Sequence, residues 1–167
     1  MRPTHTLLIM LALLAGPASA HGDANPVVVA PAQRDPERTE GHGAALGQPG
    51  DPEKVTRTVE IIMSDTMRFT PARIAVKKNE TIRFVLKNTG QLKHEMVLGT
   101  RAELTAHAEA MRKFPEMEHD DPNAVSVEPG QRGELVWRFT RTGSFDFACL
   151  VPGHFEAGMQ GKIAVHR

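Results

Sequence analysis

The amino-acid sequence predicts an all-β sandwich of short strands with one inserted helix. Three observations support this fold class. Apolar residues recur at every second position in several segments, as they do in strands that bury one face. Turn-forming Pro, Gly and Asn residues separate those segments. One segment lacks the alternation and is rich in helix-forming residues instead.

The predicted strands follow one another from residue 58 to the end of the chain, and we expect them to pair as an antiparallel sandwich, with a small barrel as the alternative. Pro71 cannot donate a ladder hydrogen bond, so its strand is expected at an edge or at a bulge. Trp137, Phe139, Phe145 and Phe147 should supply much of the apolar core. The strands are predicted at 58–63, 69–76, 81–87, 92–98, 134–139, 145–149 and 161–166.

The segment 101–114 is the predicted helix. Thr105 is its only β-branched residue, and Pro115 follows directly after it. Proline cannot continue a helix, which supports an end at residue 114. The acidic stretch 116–123 is expected to be a loop.

Residues 1–20 have the pattern of an export signal. Arg2 gives a positive start, a short apolar run follows, and Ala18 and Ala20 form a small-residue cleavage site. We therefore expect cleavage after Ala20 and a periplasmic protein. The apolar run is shorter than the roughly 20 residues that a membrane-spanning helix needs, so no membrane span is expected in the mature chain.

The segment 21–56 is predicted to be a flexible linker, which leaves 57–167 as the folded domain. Proline, glycine and charged residues dominate the linker, and such a composition buries too little apolar surface to order the chain. His21 and His42 are expected to be solvated side chains, with metal binding at the new N-terminus as the alternative.

Charge and cysteine content exclude several classes of protein. The chain has 20 Lys and Arg against 20 Asp and Glu, which gives no basic excess for binding nucleic acid. Its single cysteine, Cys149, excludes an internal disulfide and any centre that needs two cysteines. A lone thiol in an exported protein is either buried and inert or has a chemical role.

The most informative residues are Cys149, His154 and Met159, which lie five residues apart after a predicted strand. Pro152 would help this loop curl so that the three side chains converge. His94, on an earlier strand, is the candidate fourth ligand. One thiolate, two imidazoles and a weakly bound thioether are the ligand set of a blue, electron-transfer copper site. A buried cysteine beside an unrelated histidine, or a zinc site, is the alternative, although a thioether is a poor zinc ligand.

The residues resemble those of the cupredoxins, the small blue-copper proteins, over about 57–167. The matching motifs are Phe69-x-Pro71-x-x-Ile74-x-Val76 and Gly143-x-Phe145-x-Phe147-x-Cys149. Within that family the chain is most similar to exported copper-tolerance proteins of the CopI type, through residues 94–99, the inserted helix and residues 117–122. The resemblance implies a Greek-key β-sandwich with a type 1 copper at one end, held by His94, Cys149, His154 and Met159 and cycling between Cu(I) and Cu(II).

One residue departs from the family pattern. Many cupredoxins have Asn or Ser directly after the first histidine ligand, where the side chain ties that strand to the cysteine loop. Here the residue is Glu95. A carboxylate at this position would bring negative charge near the metal and alter the hydrogen bonds around it.

A second group of soft ligands lies outside this motif. His107 and Met111 are four residues apart, hence on one face of the predicted helix, and Met117 and His119 follow in one loop. Thioether and imidazole groups suit Cu(I), so these four residues form a possible second copper site. The alternative is that the methionines pack in the core.

Two functions remain open from the sequence. The first is copper tolerance, through binding, buffering or oxidising copper ions, with a copper transporter as a possible partner. The second is a diffusible electron carrier with a redox partner protein, which would need an apolar patch beside His154. A multicopper oxidase is disfavoured because Ala148 and Leu150, not histidines, flank Cys149. We therefore expect no enzymatic activity; the sequence does not give the oligomeric state.

Overall fold

The computed structural model of the chain describes residues 45–114 and 121–167. These residues form two five-stranded sheets and one α-helix, which confirms the predicted β-sandwich with an inserted helix. The elements are β1 (Gly47–Pro49), a short 3₁₀ turn (Pro52–Lys54), β2 (Arg57–Ser64), β3 (Arg68–Thr70), β4 (Arg73–Lys77), β5 (Thr81–Asn88), β6 (His94–Gly99), α1 (Arg101–Lys113), β7 (Ala124–Val127), β8 (Arg132–Phe139), β9 (Gly143–Ala148) and β10 (Gln160–His166).

The two sheets are mixed rather than purely antiparallel. The first has the strand order β1-β8-β5-β2-β3, and the second has the order β4-β10-β9-β6-β7. Strand β2 runs parallel to β5, and β4 runs parallel to β10. The expectation of an antiparallel sandwich is therefore wrong for these two pairs. Alternation along a strand shows which side chains face inward, but it carries no information about the direction of the neighbouring strand.

The segment predicted as one strand at 69–76 is two strands that belong to different sheets. Strand β3 pairs with β2 in the first sheet, and β4 pairs with β10 in the second. Pro71 lies at the break between them, where its missing N–H costs no ladder hydrogen bond. The chain therefore crosses from one layer of the sandwich to the other at this point.

The ordered structure begins before residue 57, where the predicted domain starts. Strand β1 pairs with β8, and Gly47 lies opposite Phe139. Leu46 is fully buried in the core. The 21–56 linker prediction is therefore too long at its C-terminal end. The signal peptide 1–20, His21 and His42 lie outside the described residues.

The core lies between the sheets and contains the residues expected from the alternation. Trp137, Phe139, Phe145 and Phe147 are all buried. Phe147 packs edge-on against Phe69 with ring centroids 5.0 Å apart. Cys149 and Met159 belong to the same cluster of buried residues. One end of the core is thus continuous with the predicted metal site.

Helix α1 covers the end of the second sheet next to the cysteine loop. Thr100 and Glu103 form a capping box at its start, which satisfies backbone N–H groups that the helix itself leaves unpaired. Its buried face packs against Val97, Ala148 and Leu150. The predicted helix 101–114 is confirmed, ending at Lys113. Within 45–114 and 121–167, no helix is long and apolar enough to cross a membrane.

Candidate metal centre

Two neighbouring strands bring the distant candidate ligands to one end of the sandwich. His94 is the first residue of β6, and Cys149 follows the last residue of β9. These strands are antiparallel neighbours, with Val97 opposite Ala148. The start of β6 therefore lies beside the end of β9, and the strand pairing closes the gap between residues far apart in sequence.

The loop 150–158 folds back so that His154 and Met159 return to Cys149. Gly153 and Gly158 adopt φ angles of +89° and +92°, which side-chain-bearing residues rarely adopt. The N–H of Met159 donates to the carbonyl of His154 at 3.0 Å, and the N–H of Cys149 donates to the carbonyl of Met159 at 3.0 Å. These bonds fix the loop as one compact unit.

The structure brings three predicted ligands together. Nδ1 of His94 lies 3.2 Å from Nδ1 of His154, and Sγ of Cys149 lies 3.3 Å from the same His154 nitrogen. All three ligand atoms lie within 4.8 Å of one another. His94 and Cys149 are fully buried, and His154 is 8% exposed. The side chains thus form a compact, nearly dry cluster of one sulfur and two nitrogen donors.

Burial determines the proton affinity of this cluster. It raises the pKa of the Cys149 thiol from 9.0 to about 12, despite backbone N–H groups of Glu95 and Val151 that favour the thiolate. Burial also lowers the pKa of His154, and the neighbouring His94 adds to that effect. Without a cation, the site therefore favours a neutral thiol and a neutral imidazole at His154.

Backbone hydrogen bonds connect Met159 to the cluster. Its peptide group bonds to both Cys149 and His154, and its side chain is fully buried in the core cluster that includes Cys149. Its role as a ligand remains a prediction.

The side chain of Glu95 links β6 to the cysteine loop. Its Oε1 accepts a hydrogen bond from the N–H of Leu150 at 2.9 Å, and its own N–H points at Sγ of Cys149 at 3.4 Å. The carboxylate thus joins β6 to the residue after Cys149. Its negative charge also contributes to the raised pKa of the thiol.

A further residue at the site is Asp65, which lies in the turn between β2 and β3 and was not among the predicted site residues. Its Oδ1 is 3.0 Å from Nε2 of His94, the nitrogen that faces away from Cys149 and His154. No motif could have identified this contact, because an acidic residue after a strand is common in turns and lies 29 positions before His94.

The second predicted group is only partly described. His107 and Met111 are buried on the face of α1 that packs on the sandwich, with Met111 in the cluster that contains Leu104 and Leu150. Met117 and His119 lie outside the described residues. A second copper site at His107, Met111, Met117 and His119 stays a prediction.

Comparison with known proteins identifies the class to which this fold and site belong. Residues 55–166 match the family of copper-binding proteins described as the plastocyanin/azurin family, and the chain belongs to that family. This result confirms the cupredoxin resemblance inferred from the cysteine loop. Copper is thus the metal to test against the His94, Cys149 and His154 cluster.

Individual relatives show which members of this family the chain resembles. The chain is 60% identical over 119 residues to the copper-resistant cuproprotein CopI of Rubrivivax gelatinosus, covering 71% of this chain and 72% of the relative. It is 38% identical over 153 residues to the protein of the same name from Pseudomonas aeruginosa, covering 74% and 84%. A solved structure of auracyanin B shares the fold with a TM-score of 0.61 at 24% identity, over 72% of this chain and 96% of that one.

The donor set fits copper. One thiolate and two imidazoles combine the soft donor that Cu(I) prefers with the nitrogen donors that Cu(II) prefers. The two facing Nδ1 atoms at 3.2 Å also suit a shared cation, since His94 places its proton on the opposite nitrogen when it donates to Asp65.

Proposed function

We propose that the chain binds one copper ion through His94, Cys149, His154 and Met159, and that this site serves copper tolerance in the periplasm. The observation that carries the proposal is the buried cluster in which the Nδ1 atoms of His94 and His154 lie 3.2 Å apart and Sγ of Cys149 lies 3.3 Å from the His154 nitrogen. Similarity to relatives named copper-resistant cuproproteins supports the assignment to tolerance.

Each residue has a distinct task. Bound copper supplies reversible one-electron chemistry between Cu(I) and Cu(II). Cys149 would provide a sulfur donor after losing its proton, His94 and His154 would provide nitrogen donors, and Met159 would provide a thioether. Backbone hydrogen bonds link Cys149, His154 and Met159 into one unit. This unit would keep their side chains in place around the ion.

An electron carrier is the alternative, and the surface beside His154 argues against it. Such a carrier needs an exposed apolar patch for docking. Pro152 and Ala157 are exposed there. However, Phe155 lies under the guanidinium of Arg101, 5.2 Å from the ring centroid, and Glu156 pairs with Arg112 at 3.9 Å. These charged contacts interrupt the apolar surface.

The remaining assignments belong to the same proposal. The partners are copper ions and, for delivery or removal, a copper transporter or a redox protein. Export after cleavage at Ala20 would place the chain where excess copper is met. No catalytic activity is expected, in keeping with relatives named cuproprotein and auracyanin. An additional Cu(I) at the His107 and Met111 face would increase the copper capacity.

Copper titration tests the proposal. The purified apo chain should bind at least one copper equivalent and develop an intense visible absorption from thiolate-to-copper charge transfer. Cys149→Ser should abolish the absorption while the fold remains. Absence of the colour in the wild-type chain would refute a type 1 site.

The stoichiometry separates tolerance from electron transfer. More than one bound equivalent, with the surplus lost in Met111→Leu and Met117→Leu, supports sequestration. A single equivalent combined with rapid electron self-exchange would support a carrier instead. The Met63→Leu variant is the matched control, because Met63 is buried in the main core on β2.

A further inference from the structure

We propose that Asp65 is the positioning residue of the metal centre: it holds His94 in one orientation and one tautomer, with the Nδ1 lone pair directed at Cys149 and His154. Gly90 is required at its position because it makes room for this carboxylate. The inference rests on the proposed function in that His94 is taken as a metal ligand.

The Asp65 carboxylate is anchored by a rigid turn. It accepts hydrogen bonds from the N–H of Gln91 at 2.7 Å and from the N–H of Leu92 at 3.4 Å. The buried side chain of Asn88 holds that turn, because it donates to the carbonyl of Leu92 at 2.7 Å and accepts from the N–H of Gly90 at 2.9 Å. Two backbone hydrogen bonds therefore hold the carboxylate in position beside His94.

The contact with His94 determines where the imidazole carries its proton. The hydrogen bonds from the Gln91 and Leu92 N–H groups favour the ionised carboxylate of Asp65, which can only accept. Nε2 of His94, at 3.0 Å, must then be the donor, and the neutral ring keeps a lone pair on Nδ1. That lone pair faces Nδ1 of His154 at 3.2 Å. His94 is fully buried, and Asp65 accepts the hydrogen bond from its Nε2.

Gly90 shows that the surrounding turn is shaped for this carboxylate. A Cβ at residue 90 would lie 1.9 Å from Oδ1 of Asp65 and 2.5 Å from its Cγ. The three atoms nearest to that Cβ all belong to Asp65. The φ angle of Gly90 is not in the left-handed region. The close approach to Asp65, rather than an unusual backbone conformation, therefore requires glycine here.

Four variants test the proposal: Asp65→Ala, Asp65→Asn, Gly90→Ala and the double variant Asp65→Ala/Gly90→Ala. The first readout is the ¹⁵N chemical shift of the His94 ring nitrogens, measured on the full mature chain in the apo state at a pH where the ring is neutral. The second readout is Cu(I) affinity from competition with a chelator. Glu60→Gln, an exposed carboxylate on β2 that pairs with Arg132 at 3.8 Å, is the matched control.

We expect His94 of the wild-type chain to show a single tautomer with the proton on Nε2. Asp65→Ala should give a mixture of tautomers and lower Cu(I) affinity about 10- to 100-fold, the usual effect of removing a partner of a metal-binding histidine. Gly90→Ala should have the same effect while retaining the carboxylate in the chain. Asp65→Asn should keep the Nε2 tautomer with a smaller loss of affinity, since its amide oxygen still accepts.

The double variant gives the sharpest test. If Gly90 serves only to admit the Asp65 side chain, removing that side chain removes the clash, and the double variant should equal Asp65→Ala. A double variant with additive losses would overturn the role of Gly90. A wild-type His94 protonated on Nδ1, or an Asp65→Ala variant with an unchanged tautomer and affinity, would overturn the role of Asp65.

The two proposals fail in different ways. If the wild-type chain binds no copper, the proposed function is wrong, but the apo-state tautomer still decides the role of Asp65. If copper binds and the tautomer does not depend on Asp65, only the present inference is wrong. Should Asp65→Ala not fold, the comparison of Gly90→Ala with Asp65→Asn carries the same test.

Discussion

Cys149 is the residue whose chemistry the fold changes most. Its pKa of about 12 in the metal-free chain means that almost no thiolate exists at neutral pH, and its side chain is fully buried. These two properties protect the single cysteine of the chain from oxidation. Copper binding would replace the thiol proton and employ the same sulfur as a ligand.

Alkylation measures this protection. At pH 8 the apo chain should react with a thiol reagent roughly a thousandfold more slowly than the chain unfolded in denaturant, because folding raises the pKa from 9.0 to about 12 and also buries the sulfur. Reaction progress can be followed by absorbance or mass. Cys149→Ser, which has no thiol, gives the background. Equal rates in the folded and unfolded chains would contradict the burial of Cys149.

Two variants of Glu95 distinguish the effect of its negative charge from the effect of its hydrogen bond to the cysteine loop. In Glu95→Ala the N–H of Leu150 loses its acceptor, so the free energy of unfolding should fall by about 1–3 kcal/mol. Glu95→Gln retains an acceptor oxygen and should be close to wild type in stability. Denaturant unfolding of both apo variants measures the difference.

Removing the negative charge has a further expected effect. The reduction potential of the copper-loaded Glu95→Gln variant should rise, since a nearby carboxylate favours Cu(II) over Cu(I). A potential equal to that of the wild type would show that the Glu95 charge is screened from the metal.

At the scale of single residues, the sequence indicated candidate donors but not the residues that support them. The spacing of Cys149, His154 and Met159 and the soft chemistry of their side chains pointed to one site, and the structure brings ligand atoms of His94, Cys149 and His154 within 4.8 Å of one another. Asp65 could not be identified, because its contact with His94 depends on how the turn after β2 meets the turn after β5.

Among the elements, β1 shows how a short strand escapes sequence analysis. Its three residues lie in a stretch with proline and glycine, and only the structure shows that the segment pairs with β8 beside the buried Leu46. Strand β7 was missed for the same reason, since four residues are too few to display a period. Pro71 correctly predicted an edge position, because β3 and β4 are both edge strands, but it did not predict that the segment divides between two sheets.

Leu46 offers a test at this scale. Leu46→Ala should lower the free energy of unfolding by about 2–5 kcal/mol, the range for a buried leucine. A variant that begins at residue 57 should be destabilised in the same direction, whereas one that begins at residue 45 retains β1. If the two truncated variants were equally stable, β1 would be dispensable.

Helix α1 packs against Leu150 in the cysteine loop, and its stability depends on the capping box at its start. Thr100→Ala removes one half of the capping box and should cost about 1 kcal/mol of stability. The matched control is Thr105→Ala, which leaves the cap intact; its hydroxyl bonds only to the carbonyl of Arg101 in the preceding turn. Thermal unfolding of the apo variants would show the difference, and equal melting temperatures would contradict the importance of the cap.

For the whole molecule, the metal-free chain should be most stable between weakly acidic and weakly alkaline pH. Folding lowers the pKa of His154, so the unfolded chain binds protons more readily and stability falls as the pH drops below 6.5. Folding also lowers the pKa of Asp65, which adds to the loss at more acidic pH.

At alkaline pH, the titration of Cys149 determines whether stability rises or falls. Folding raises its pKa, so the unfolded chain loses the proton first and stability falls as the pH rises above 9.0 towards about 12. The loss amounts to about 4 kcal/mol at most. Denaturant unfolding of the wild type and of Cys149→Ser across this pH range isolates the effect. The difference between their free energies of unfolding should change with pH. A pH-independent difference would contradict the raised pKa.

The return of the chain from β6 to the loop after β9 has one more consequence. A copper ion bound there would join positions 60 residues apart, His94 and His154, in a chain that cannot form an internal disulfide. The metal would then act as a removable cross-link, closing a long loop without oxidising any sulfur. The sandwich would then resist force and proteolysis better with copper bound than without it.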